Sequence, residues 1–176
     1  MSETSQLIII TASNGNNLSL SKKFFEKSKE LNIECAILDL TEYNLPLFNP
    51  RNKPKENIPE EIEKIKEQLL NTEKWIICAP EYNGSIPPIL SNLIAWLSIS
   101  GDDFRNLFNG QPIAIATFSG GQGIELLTSL RIQLVHLGSQ VLGRQLSSSF
   151  SKPAEENTIQ DIIKRLMQMK KLTIDY

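Results

Sequence analysis

Histidine occurs once and cysteine twice in the 176-residue chain, and those scarcities remove whole classes of chemistry. Cys35 and Cys78 sit in apolar, strand-like runs with no CxxC pair and no histidine beside them, so they read as free thiols of a reducing compartment. The one histidine, His136, falls inside an apolar helical stretch and reads as structural; without a GxSxG elbow, a serine hydrolase lacks its parts. No apolar run approaches the roughly 18 residues of a membrane span, and the polar segment Met1 to Gln6 has no basic and then apolar leader, so a cytoplasmic location is expected. Net positive charge is missing too. With 18 Lys and Arg against 20 Asp and Glu the balance is −2, which gives no field to hold a nucleic-acid backbone. At 40% hydrophobic and 22% charged residues the chain is neither disordered nor a coiled coil, and its length suits one domain, residues 1–176.

What is present is an alternation of two periodicities. Leu7 to Ile10 is a continuous β-branched run that reads as a strand buried on both faces, followed by a polar loop and a helix with Leu20, Phe24, Phe25 and Leu31 on one side. Glu34 to Leu40 is a second strand, and residues 41 to 58 form a connection longer than packing requires. Pro59 before Glu60, Glu61 and Glu63 opens a helix, Lys74 to Ala79 is a third strand, and a helix runs from Pro88 to about Ser98. Ile113 to Phe118, a helix over Ile124 to Leu137, and a fifth strand over Gln140 to Leu146 follow. The last helix opens with Asn157 and Gln160 spaced as a capping box. Five strands alternating with helices predict an α/β, three-layer sandwich, a parallel sheet with helices on both faces; with a 2-1-3-4-5 order, strands one, three and four are adjacent.

In such a sheet ligands bind beyond the carboxyl ends of the strands, where the order reverses. Three loops there are unusual: Thr11 to Asn17, Pro80 to Ser85 and Ser119 to Gly123. The first is crowded with hydroxyls, amides and a glycine before a helix, a set that rings a phosphate with neutral donors. It is neither a Walker A loop nor GxGxxG, although Asp39 closes the second strand where a Rossmann acid lies. The second offers a tyrosine face, an amide and a glycine for close backbone approach. The third has three glycines before a helix, more than a tight turn needs.

Pro80-Glu81-Tyr82-Asn83-Gly84-Ser85-Ile86-Pro87, followed by Asn92, Trp96 and Ser98, resembles the signature of the NADPH-dependent FMN reductase family of flavodoxin-like flavoproteins. The resemblance extends to Leu45-Pro46-Leu47-Phe48, to Gly110 to Ala114, to the Ser119 to Gly123 loop and to Leu134 to Gly138. It implies a flavodoxin-like fold with FMN as cofactor. Its phosphate would lie on Ser13, Asn14, Asn17 and Leu18, its ring along Pro80, Glu81, Tyr82, Asn83 and Gly84, and its other edge under Ser119, Gly120, Gly121, Gln122 and Gly123. The chain departs from the family in its shorter first loop, without the glycine-serine pair and arginine, and in Ser91 and Ala95 where lysine and aspartate are usual.

The resemblance further implies an enzyme in which NADPH or NADH reduces FMN and then gives way to a small-molecule acceptor such as a quinone or another flavin. The flavin carries the hydride chemistry, so no side chain is needed as a catalytic nucleophile or base. Amides near Gly121 and the dipole of the following helix are placed to stabilise negative charge on the reduced ring. A flavodoxin-type FMN electron carrier is the alternative, disfavoured by a charge too small to steer protein partners. A receiver domain is excluded because Pro80 and Ser13 stand where it needs acids. The family commonly forms a homodimer or homotetramer. Here Ile89, Leu90, Leu93, Ile94 and Leu97 give a helix face that can pack on the sheet while Trp96 and Ile99 point elsewhere, so either a second copy covers them or Trp96 folds over Asp102 to Phe108.

Overall fold

The computed structural model describes residues 5–52, 55–99 and 106–172. Strands β1 (Ser5–Thr11), β2 (Cys35–Asp39), β3 (Thr72–Cys78) and β4 (Pro112–Phe118) run parallel in the order β2-β1-β3-β4. Alternate residues of these strands feed two cores. Ile8, Ile10, Trp75, Ile77, Ile113 and Ile115 face one side, while Leu7, Ile9, Ile76, Cys78, Ala114 and Ala116 face the other. Helices α2 (Glu60–Leu70), α3 (Pro88–Ile99) and α4 (Ile124–His136) cover the first face; α1 (Asn16–Glu30) and α5 (Glu156–Gln168) cover the second. Both faces being covered explains why the strands read as continuous apolar runs. The result is the expected three-layer sandwich.

The fifth position of the sheet holds two short strands instead of one. β5 (Gln140–Val141) pairs with Pro112 and Ile113, and β6 (Leu146–Ser148) pairs with Ala116 to Phe118, both parallel to β4. Between them the carbonyls of Val141 and Leu142 leave the ladder and accept from the Arg131 guanidinium at 3.4 and 2.9 Å, and that group also donates to Gln145 Oε1 at 2.9 Å. An arginine from α4 thus substitutes for the missing strand hydrogen bonds.

Two further expectations are corrected. α5 starts earlier than the capping-box pattern indicates: the Glu155 carbonyl accepts from the N–H groups of Thr158 and Ile159, and Asn157 lies exposed inside the first turn. Trp96 is not left in water but is 4% exposed. The segment 45–48 crosses α3 as a strap, and its Pro46 carbonyl accepts from Trp96 Nε1 at 2.8 Å and Asn92 Nδ2 at 3.1 Å. Asn92 Oδ1 in turn accepts from the Phe48 N–H at 2.8 Å, and the Phe48 ring meets Trp96 edge-on at 5.4 Å. Among the described residues Trp96 is covered by its own chain through this strap; most of the 102–108 segment lies outside the described residues. The long β2–α2 connection owes its length to this crossing. Asp39 Oδ1 accepts from both the N–H and the hydroxyl of Thr41, capping a short 3₁₀ turn, Leu40–Glu42.

Candidate functional site

Beyond the carboxyl ends of β1, β3 and β4, the three unusual loops meet around one cleft of about 330 Å³. A wider groove of about 610 Å³ lies at the amino ends of β1 and β2, the end where open parallel sheets do not place ligands.

The first loop leaves β1 through a turn in which Thr11 Oγ1 donates to the Ser13 carbonyl at 2.9 Å. Gly15 then precedes α1 with no side chain capping the helix, so the first-turn N–H groups remain as donors at the cleft. Asn17 is different: it is buried, and its amide bonds both the carbonyl and the N–H of Phe118, each at 2.9 Å. Its side chain staples the first loop to the end of β4 and is not free to hold a phosphate.

In the second loop Tyr82 and Ser85 exchange backbone hydrogen bonds, and Asn83 and Gly84 have φ of 52° and 66°. Positive φ at both central positions is the type I′ hairpin turn that Asn-Gly specifies. Gly84 is therefore required by the turn rather than by a close approach. The turn lifts Tyr82 half out of the surface, at the rim of the cleft.

The third loop is organised by Ser119. Its hydroxyl accepts from the Glu81 N–H at 2.8 Å and lies 2.9 Å from Thr117 Oγ1, while its own N–H donates to the Ser148 carbonyl. Gly123 has φ of 66°, and a Cβ there would lie 2.7 Å from Thr117 Cγ2, so it is fixed by packing against β4. Gly120 and Gly121 have nothing within 4 Å of where a Cβ would stand, which leaves their backbone bare. Glu81 joins the second loop to the helix after the third: its Oε2 accepts from the Leu126 N–H, in the first turn of α4, at 3.2 Å. The α4 N-terminus that the sequence offered as an anion stabiliser is thus already met by a carboxylate.

The cleft brings together Ser13, Asn14, Asn17, Pro80, Glu81, Tyr82, Ser119 and Gly120. Leu18, Asn83, Gly84, Gly121, Gln122 and Gly123 are not on its lining. Sequence reading missed Gly15 and Asn16, inside a loop it had singled out, and the aromatic pair Phe118 and Phe150, whose rings meet edge-on at 4.9 Å. Phe150 is 79% exposed on the loop after β6, a position hidden in the sequence by the split of the fifth strand. Beneath the cleft, burial pushes the Cys78 thiol up to about 12, and burial also raises Cys35, so neither offers a thiolate at neutral pH. His136 is exposed at the last turn of α4 and is not a core residue.

The family model for NADPH-dependent FMN reductase matches residues 6–152. A quinone reductase of Escherichia coli (strain K12) is 31% identical over 152 residues, covering 82% of this chain and 77% of that protein. An FMN-dependent NADH:quinone oxidoreductase of Clostridium perfringens is 33% identical over 107 residues, 54% of this chain and 52% of that one. Among solved structures, the flavoenzyme NAD(P)H:(acceptor) oxidoreductase FerB of Paracoccus denitrificans superposes with a TM-score of 0.76 at 19% identity, over 94% of this chain and 96% of its own.

Proposed function

The chain belongs to the NADPH-dependent FMN reductase family, and from that premise we propose that the three-loop cleft holds one FMN and passes electrons from a reduced nicotinamide to a small-molecule acceptor. It is an FMN-dependent NAD(P)H oxidoreductase, with a quinone as the favoured class of acceptor. The observation that carries the assignment to this cleft is the convergence of the three loops on it, with the uncapped start of α1 offering N–H donors to a phosphate and the open backbone of Gly120 on the same lining.

When bound, FMN supplies hydride acceptance and electron release. The protein binds and orients. Ser13 Oγ, the Asn14 amide and the first-turn amides of α1 hold the phosphate with neutral donors. The Pro80 to Tyr82 backbone, the Tyr82 ring and Gly120 would hold the isoalloxazine in the cleft. Asn17 acts through the Phe118 backbone, fixing the two loops at one spacing, and Asn83 and Gly84 shape the turn that presents Tyr82.

The whole length acts as one domain, supported by one sheet that runs through the described residues. No helix of the described residues is long and apolar enough to cross a membrane, and a cytoplasmic location fits the two free thiols. With Trp96 covered, support for a homodimer shifts to the exposed face of α4, where Ile124, Ile132 and Val135 stand in water. Two such dimers would make the homotetramer.

Purified protein reconstituted with FMN tests the assignment. One flavin per chain, bleached by NADH or NADPH and recoloured by a quinone, is the expected result. A flavin that stays bound but is not reduced by either nicotinamide identifies a carrier instead.

A further inference from the structure

We propose that Glu81 sets the reduction potential of the bound FMN, holding it low so that electrons leave readily for the acceptor; this rests on the cofactor assignment above. Among the described residues that line the cleft, Glu81 carries the one formal charge, and no lysine, arginine or histidine is among them. Glu81 is held at two points: its backbone N–H donates to Ser119 Oγ at 2.8 Å, and its side-chain Oε2 accepts from the Leu126 N–H at 3.2 Å. Glu81 is only partly exposed, so water screens its charge less than that of a surface carboxylate.

The consequence is electrostatic. Transfer of a hydride, two electrons and one proton, from the nicotinamide to the cofactor adds one negative charge to it and leaves the nicotinamide oxidised. A fixed negative charge beside a cleft whose described lining carries no cationic side chain opposes that added charge. The opposite arrangement, a free helix N-terminus aimed at the ring, would favour it. Here the carboxylate takes up a first-turn amide of α4, and a second acid, Glu125, stands in the same turn. One first-turn amide of α4 is thus met by a carboxylate of the chain itself.

Glu81 is thus a positioning and tuning residue and not a proton donor. Its side chain ties the tyrosine loop to α4 while its charge biases the cofactor. The two roles separate in two variants. Glu81→Gln keeps an amide oxygen to accept from Leu126 and removes the charge, whereas Glu81→Ala removes both.

The measurement is the FMN midpoint potential, read by equilibration with a reference dye at saturating FMN, alongside FMN affinity by fluorescence quenching. Glu81→Gln is expected to bind FMN within about two-fold of the parent and to shift the dye equilibrium about ten-fold towards reduced flavin, about 30 mV more positive for a two-electron couple. Glu81→Ala is expected to shift the potential the same way and also to weaken FMN. Glu125→Gln, whose charge is exposed to water, should shift it less. An unchanged or more negative potential in Glu81→Gln overturns the proposal, even if Glu81→Ala loses affinity, because a purely structural tie predicts that pattern. If the parent protein binds no FMN, the cofactor assignment itself is lost, and the two failures are told apart by the parent alone.

Discussion

The strap at residues 45–48 and the tyrosine loop at residues 80–85 both carry residues of the family signature, yet they do opposite work. Under the strap the signature residues of α3 turn inward: Trp96 is buried, its indole N–H and the Asn92 amide both end on the Pro46 carbonyl, and Phe48 packs on the indole, while Leu47 of the strap stands in water. In the tyrosine loop they turn outward, with Tyr82, Asn83 and Gly84 exposed on a two-residue turn. A family motif therefore mixes scaffold with site. Burial and hydrogen-bond partners sort one from the other, and the motif itself does not.

The sharpest way to break that contrast is Trp96→Ala. It removes a buried indole and leaves the Pro46 carbonyl short of one donor, so a stability loss of about 3–5 kcal/mol is expected in urea unfolding. Material that remains folded should bind FMN nearly as tightly as the parent. A variant that keeps its stability but loses FMN would place Trp96 in the site.

Tyr82→Ala should behave in reverse. Unfolding should move by no more than about 0.5 kcal/mol, while FMN affinity, read by fluorescence quenching, should fall about ten-fold. Asn83 refines the comparison because its role is conformational: Asn83→Gly should be close to neutral, and Asn83→Ala, strained at positive φ, should cost about 1 kcal/mol.

An effect that shows only at high pH belongs to Cys78, on the scaffold side directly below the loop. Its thiol ionises near ~8.5 in an unfolded chain but is held neutral up to about 12 in the native protein. Its contribution to stability is therefore whole below pH ~8.5 and is lost as pH rises towards 12, at no more than about 1.4 kcal/mol per pH unit. Comparing the parent with Cys78→Ala in urea at pH 7 and pH 10 isolates that slope; identical slopes would mean the thiol is not held in apolar surroundings.

The same division explains what the sequence discloses. Strand runs such as Leu7 to Ile10 are legible because burial on both faces leaves no polar positions to confuse the period, while the order of strands is legible only through the flavodoxin-like resemblance, since right-handed crossovers permit more than one order. The three loops are legible because serine, asparagine and glycine cluster where a plain turn would need fewer. Partners distant in sequence are not legible. Nothing local to Asn17 indicates that its amide is taken by Phe118, 101 residues away, nor does Glu81 announce Leu126, 45 residues on. The broken fifth strand is hidden for the same reason, since the Arg131 that supports it lies on a different element. Phe150 reads as an ordinary loop residue until the fold brings it against Phe118.

The central claim is that FMN sits in the cleft where the three loops meet, and Gly120→Val tests it most directly, because the new side chain enters space that is open in the parent. Equilibrium titration of both proteins with FMN should give one flavin per chain for the parent and none for the variant, with urea unfolding unchanged. Gly120→Val protein that binds one FMN per chain as tightly as the parent would contradict the account.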